Sequence, residues 1–345
     1  MGRSAAVIPT GLMIEPTESG FVKKQGSGVG PRQAPPSPFF GGGGAFLFLF
    51  TLMTTKGGAF MQKKRWLISF SLIATLIVSL LISPVGSLAN QRADQSDQWT
   101  QIKKRGTLLI GVDDSFVPMD FRQKNGTLVG YDVDLSRAVC KVLGLKPEFQ
   151  SIDWAMKETE LKNGTIDVIW NGYTATPARA KQQAFSRVYE RSGQSLVVRK
   201  DAGINSFADM KGKVVGLQQG STAYTDFYKY PAKLKRYVKG RIIYQDNNSA
   251  FLDLKAGRID GVLTGTVYGG YYAKHLAGSN DYKLIGSDVF PQDEVAVGIR
   301  KKDRTLVKKI NYALKVLQKD GTLRQINKKW LGIDTDYLGP VDQFK

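Results

Sequence analysis

Leu161-Lys162-Asn163-Gly164-Thr165-Ile166-Asp167-Val168-Ile169-Trp170-Asn171-Gly172 is echoed by Leu254-Lys255-Ala256-Gly257-Arg258-Ile259-Asp260-Gly261-Val262-Leu263-Thr264-Gly265. Each copy reads as a helix end, a Gly stop and an apolar strand that finishes on Gly. One such unit is common in α/β proteins. Two copies sharing the stop, the Ile-Asp pair and the final Gly predict two related α/β lobes. Ligands of open α/β sheets sit beyond the carboxyl ends of the strands. Two half-sites are therefore expected, one at Asn171-Gly172 and one at Thr264-Gly265.

The flanking pattern extends this reading in both directions. Thr107-Leu108-Leu109-Ile110-Gly111-Val112 is an apolar run suited to a buried parallel strand. Lys124-Asn125-Gly126 marks a hairpin, and a helix is expected over 132–143 with Asp132 or Asp134 as its cap. A strand over 147–152, a helix over 155–163 and a strand over 166–170 follow. Pro177 suits the first position of a helix capped by Thr176. A second series has strands over 194–199, 214–217, 242–244 and 259–263. Ser221-Thr222 caps one helix, and another is expected over 248–256. A final long strand over 295–299 and helices over 305–318 and 323–330 close the chain. This alternation predicts parallel sheets.

The first ninety residues differ. Residues 1–60 carry Pro35-Pro36-Ser37-Pro38 and Gly41-Gly42-Gly43-Gly44 without a sustained period, a composition that buries no core. They read as a disordered or mis-assigned extension. From Met61, Lys63-Lys64-Arg65 precedes an apolar run over 66–82 and the small residues Ser87-Leu88-Ala89. That order is a secretory signal, with an uncleaved membrane anchor as the alternative. No Cys lies near the cleavage site, so a lipoprotein is excluded.

Charge and reactive residues restrict function. The sequence carries +19 overall; residues 1–89 hold eight Lys/Arg and two Asp/Glu, leaving 41 basic and 28 acidic residues, or +13, beyond them. The basic residues are scattered and form no nucleic-acid motif. Retention on an anionic envelope explains them better. Cys140 and His275 are the sole residues of their kinds, which rules out a His/Cys zinc site, and neither is assigned chemistry. No cofactor or metal is expected.

Gly130-Tyr131-Asp132-Val133-Asp134-Leu135, followed by Ser136-Arg137-Ala138-Val139-Cys140, resembles the signature of the family 3 bacterial extracellular solute-binding proteins, the amino-acid receptors of ABC importers. In order along the chain, 111–121 is similar to that family's first ligand loop and 174–181 to its carboxylate-binding turn. Gly220-Ser221-Thr222 resembles its second-lobe loop, and Asp320-Gly321-Thr322 with Lys328-Lys329-Trp330 the domain end. The likeness covers roughly 97–340. It implies a two-lobed type II periplasmic-binding fold, with 97–189 plus 298–340 as lobe 1 and 194–293 as lobe 2. Hinge crossings are expected near 189–193 and 294–297. It also implies an exported monomer, in the periplasm or on the outer cell face, that delivers a small polar amino acid to a membrane permease.

The chemistry of a free amino acid names the site. Arg179 offers a planar fork for the carboxylate, helped by the helix start at Thr176-Pro177. Ser221 and Thr222 offer a second helix start from the other lobe. By resemblance, Phe116 and Trp154 sandwich the ligand side chain. Asn171, Gly172 and Thr174 supply hydrogen bonds and close backbone approach, with Gln218 and Gln219 as polar walls and Asp113 orienting the first loop or meeting an amine. Many relatives carry Asp at the position of Gly265, where it meets the ligand ammonium. A buried ammonium without a carboxylate is costly, so Asp113, Asp293 or Glu294 is the expected substitute, unless water enters or the ligand lacks an α-amino group. The alternatives are a dehydratase-like enzyme on the same scaffold, for which no acid–base pair is evident, and a basic surface adhesin.

Overall fold

The computed structural model describes residues 97–275 and 281–340; the expected extension over 1–60 and the signal over 61–89 lie outside these. Helix α1 (Trp99–Arg105) leads into β1 (Thr107–Val112), and β2 (Ser115–Phe116), β3 (Asp120–Arg122) and β4 (Leu128–Val129) form a small antiparallel sheet. Then come α2 (Tyr131–Leu143), β5 (Lys146–Ser151), a 3-10 turn (Trp154–Met156), α3 (Lys157–Asn163), β6 (Val168–Ile169), α4 (Pro177–Ala180) and β7 (Gln183–Phe185). The chain crosses on β8 (Glu190–Ser192) into β9 (Gln194–Arg199), β10 (Val214–Gln218), α5 (Thr222–Lys229), β11 (Gly240–Tyr244), α6 (Asn247–Lys255), β12 (Gly261–Gly265), α7 (Thr266–His275) and β13 (Tyr282–Ile285). It returns on β14 (Asp293–Val295) to β15 (Gly298–Arg300), α8 (Arg304–Lys319) and α9 (Thr322–Leu331).

Two five-stranded sheets share one plan. Their orders are β5-β1-β6-β15-β7 and β11-β10-β12-β9-β13. The first three strands of each are parallel, and the last two are antiparallel to their neighbours. The all-parallel expectation fails at one place in each sheet for one reason. The fourth position is filled by the strand that arrives from the other lobe, β15 in the first sheet and β9 in the second. The expected long strand over 295–299 is therefore two short ones, in different sheets.

The repeated phrase acts identically in both lobes. Asp167 donates its backbone N–H to the Leu109 carbonyl (2.8 Å) and accepts the Leu109 N–H on Oδ2 (2.9 Å). Asp260 repeats both bonds with Val214, at 2.9 and 2.8 Å. The preceding isoleucine packs on a bare backbone. A Cβ at Gly111 would lie 2.5 Å from Ile166 Cδ1, and one at Gly216 would lie 2.7 Å from Ile259 Cδ1. Ile-Asp thus sets each third strand, β6 or β12, against its neighbour β1 or β10, and so sets where both strands end.

Local caps differ from expectation in one respect. Helix α2 begins after Gly130, and neither Asp132 nor Asp134 caps it. Asp132 is buried and accepts the Gly172 N–H on Oδ2 (2.5 Å), so it ties α2 to the cleft floor. Asp134 Oδ2 accepts from Trp330 Nε1 (2.7 Å), which helps dock α9 on α2. Helix α8 buries Leu306, Ile310, Ala313, Leu314 and Leu317, a stripe at helical spacing that packs on α2. Among the described residues no helix is long and apolar enough to cross a membrane.

The two aspartates should differ in cost when removed. Asp167 is buried, and also pairs with Arg105 and with buried Arg300 (3.2 Å); Asp260 is a third exposed. Asp167→Ala is expected to lose about 3 kcal/mol by leaving a buried guanidinium short of a partner, and Asp260→Ala about 1 kcal/mol. Urea unfolding checks this, and an equal or reversed order contradicts it.

Candidate ligand-binding site

Between the lobes lies a cleft of about 660 Å³, counting its open mouth. Eleven of the residues selected from the sequence line it. Asp113, Phe116, Trp154, Asn171, Gly172, Thr174 and Arg179 come from the first lobe, and Gln218, Ser221, Thr222 and Gly265 from the second. Their individual tasks are less uniform than the sequence suggested.

Asn171 is engaged in holding the floor. Its Oδ1 accepts the Asp113 N–H (2.8 Å) and its Nδ2 donates to buried Asp120 (2.6 Å). Gly172 has φ +53, and a Cβ there would lie 2.9 Å from the Phe116 ring, so only glycine leaves room for that ring. Asp113 accepts from the Ser115 N–H and hydroxyl on one oxygen and from Gln218 Nε2 (2.9 Å) on the other. Gln218 accepts from Asn247 Nδ2 (2.8 Å), which accepts from the Thr264 hydroxyl (3.2 Å). One polar chain thus runs from the first loop across the cleft to β12. Burial raises the Asp113 carboxyl above its ordinary value, against the lowering by Ser115 and Gln218. Gln219 is not part of the lining.

The cationic end is built by Arg179. Its guanidinium donates to the Thr174 carbonyl (2.8 Å) and reaches the Gly220 carbonyl (3.2 Å) and the Thr222 hydroxyl (3.4 Å) of the opposite lobe. It lies over the Tyr173 ring at 4.3 Å and 3.5 Å from Glu158. The α4 helix start contributes less than expected. It spans four residues, Pro177 has no N–H, and Arg179 N–H already donates to the Thr176 hydroxyl (3.2 Å). Helix α5 is better placed. Ser221 Oγ accepts the Tyr224 N–H, leaving the first-turn N–H groups of Thr222 and Ala223 facing the same end. Lys157 was missed by the sequence reading because an isolated lysine carries no signal. It is buried, donates to the Trp154 and Gly220 carbonyls (2.8 and 2.9 Å), and burial lowers its pKa to about 8.

The aromatic pair also departs from expectation. Phe116 stacks on Tyr268, with centroids 4.8 Å apart and planes 12° from parallel. Trp154 instead meets Tyr173 edge-on at 5.8 Å. Tyr268, fully buried on α7, is thus the ring that faces Phe116 across the cleft.

The hinge strands supply the anionic end. Strands β8 and β14 pair with Glu190 opposite Val295 and Ser192 opposite Asp293. Side chains alternate across a strand; these four line the cleft while Arg191 and Glu294 face outward as an ion pair at 3.3 Å. That removes Glu294 as the substitute for the missing acid and adds Glu190, which the sequence reading overlooked. Its signal was the period-2 pattern of a crossing strand. Glu190 and Asp293 are 6% and 8% exposed, and among the described residues neither carboxylate has a basic partner within ion-pair distance. Burial, with Asp132 and Asp293 nearby, pushes Glu190 up to about 8. Burial raises Asp293 to about 6, opposed by a hydrogen bond from Gln194.

The chain matches the model of the bacterial extracellular solute-binding proteins, family 3, over residues 108–333. It belongs to that family. The match covers nearly all the described residues and carries the two-lobed type II periplasmic-binding fold, whose members act outside the cytoplasmic membrane. This solute-binding protein is 32% identical to the L-cystine-binding protein TcyJ of Escherichia coli K12 over 238 residues, 68% of this chain and 86% of that one. It is 29% identical to the arginine-binding extracellular protein ArtP of Bacillus subtilis, over 77% and 98% of the chains. Among solved structures, a substrate-binding protein of a Streptococcus pneumoniae ABC uptake transporter with bound histidine is 45% identical, with a TM-score of 0.66 over 69% of this chain and 97% of that one.

The unpartnered Glu190 has a measurable signature. Its carboxyl titrates near 8 in the folded protein, against 4.5 without the protein environment. Between these values the folded state keeps a proton that the unfolded state has released, so this residue's contribution to stability falls as pH rises through that window. Glu190→Gln lacks the effect. The stability of the variant relative to the parent should rise by at least ~2 kcal/mol between pH 4.5 and 8, roughly 4–8 °C in Tm. A constant difference across that range contradicts the assignment.

Proposed function

We propose that this protein is the receptor of an ABC importer, capturing a free α-amino acid outside the membrane and presenting it to the permease. One observation carries the reading. The cleft has a cationic end at Arg179 and the α5 start, and an anionic end at Glu190 and Asp293. That is the charge pattern of a zwitterion. Arg179 receives the carboxylate bidentately, Thr222 and Ala223 add N–H donors, and Phe116, Trp154 and Tyr268 wall the side chain. Residues 97–189 with 298–340 move as one lobe and 194–293 as the other, swinging on β8 and β14. Names of relatives that bind cystine, arginine and histidine support the ligand class.

The same reading makes the protein non-catalytic. Cys140 is buried with its thiol pushed up to about 12, and His275 stacks on Tyr271 at the end of α7; neither lines the cleft. We read the protein as a monomer, exported by the segment over 61–89 and carrying no lipid anchor. Basic residues around Tyr228 and Tyr237, including Lys235, Arg236 and Arg241 over their rings, suit weak retention on an anionic envelope.

Calorimetry against the twenty amino acids and L-cystine is expected to find at least one with Kd of about 1 μM or tighter, about −8 kcal/mol. Heat with none overturns the reading. Arg179→Lys keeps the charge but loses the fork, and should weaken that ligand more than tenfold; unchanged affinity removes Arg179 from the carboxylate site.

A further inference from the structure

We propose that Glu190 and Asp293, one from each hinge strand, together with Gln194, form the anchor for the ligand's α-ammonium in place of an acidic residue at position 265. The proposal rests on the amino-acid reading above. It starts from a deficit. β12 ends on Gly265, which offers no side chain and has open space beside it, at the position where the family resemblance implies an acidic residue. In the β12–β9 register Gly265 lies directly opposite Gln194, and Gln194 Nε2 donates to Asp293 Oδ2. The carboxylate absent from position 265 is thus supplied one residue away, from a different part of the chain.

The donor and acceptor count fits. An ammonium has three N–H donors and no acceptor. The subsite offers Glu190, which makes no hydrogen bond or ion pair among the described residues, the Asp293 carboxylate, and Gln194 Oε1, buried without a partner. Glu190 and Asp293 are diagonal neighbours on the inner face of the two-stranded ladder, a spacing of about 7–8 Å between backbones that one cation can bridge. All three residues line the cleft and are more than nine-tenths buried.

The surrounding charges favour a cation. Facing Glu190 are Asp132 from α2 and Asp293 from β14, while Asp293 also feels Asp226 from α5 and, in the opposite sense, Arg179 from α4. Tyr131 and Tyr189 border the same cluster as neutral phenols, their pKa values raised by burial. Glu190 titrates near 8 without a ligand, so an arriving ammonium displaces its proton. The hinge location adds a consequence for motion. A cation that bonds both crossing strands draws on the two segments about which the lobes turn.

The test compares L-arginine, L-histidine and L-glutamine with their des-amino forms, 5-guanidinovalerate, imidazole-4-propionate and glutaramate, by calorimetry. In the parent, removing the amine from the tightest of the three should cost at least a hundredfold. In Glu190→Gln/Asp293→Asn that gap should fall below tenfold, whereas Arg179→Lys should weaken both forms and keep the gap. Binding at pH 7, compared in phosphate and Tris buffers, should release about one proton per ligand in the parent and none in Glu190→Gln. Adding Gly265→Asp to the double variant should restore at least tenfold of the gap, since a Cβ there meets nothing within 4 Å. That restoration also keeps the result interpretable if the double variant is less stable. An unchanged amine gap in the double variant, or no proton release in the parent, overturns the anchor while leaving the amino-acid reading intact. Silence with all twenty amino acids and L-cystine removes both.

Discussion

The two-residue period of the crossing strands is the constraint on which the cleft depends. A strand sends alternate side chains to opposite faces. Once β8 and β14 pair with Glu190 opposite Val295, four residues face the cleft and two face solvent. Arg191 and Glu294, on the outer face, neutralise one another. Glu190 and Asp293, on the inner face, cannot do so. A shift of one residue in this short ladder would exchange the two pairs and place an arginine where a carboxylate stands. The same two strands are the passages between lobes, so one ladder sets both the crossing and the charge beside it.

Charge is divided between inside and outside. The sequence beyond residue 89 carries +13, and the described lysines and arginines, Lys157 and Arg300 apart, are at least partly exposed. The cleft carries the opposite sign, with Asp113, Glu190 and Asp293 in its walls against Arg179. Burial penalises each of those carboxylates, and their raised pKa values express that penalty. A cation entering the cleft relieves it. The proposed envelope retention draws on the basic exterior, and the proposed ammonium anchor on the acidic cleft.

The repeat was readable, and its physical meaning emerged from the bonds it makes. The sequence showed Ile-Asp twice between a Gly stop and a strand. The structure assigns the aspartate to a two-point clamp on β1 or β10 and the isoleucine to the bare backbone of a glycine in that strand. The copies differ beyond the clamp. Asn171 at the end of the first holds the loop at Asp113, whereas Gly265 at the end of the second has open space beside it. Local signals placed the caps at Thr176 and Ser221 correctly. They failed at Asp132, because a carboxylate near a helix start looks like a cap whether it faces its own helix or a distant N–H.

The sequence alone determined two α/β lobes, their repeated Ile-Asp and the family, because periodicity, caps and glycine stops act over a few residues. It also nominated eleven residues that line one cleft, because family motifs keep their order along the chain. Tertiary structure decided what each does. Asn171 turned inward, Phe116 met Tyr268 and the anionic end moved to Glu190 and Asp293. Those outcomes depend on residues from tens to more than a hundred positions apart being brought together by the fold. A pairing of that kind is a property of the folded chain, and the pairing, not burial alone, decides which carboxylates lack a partner.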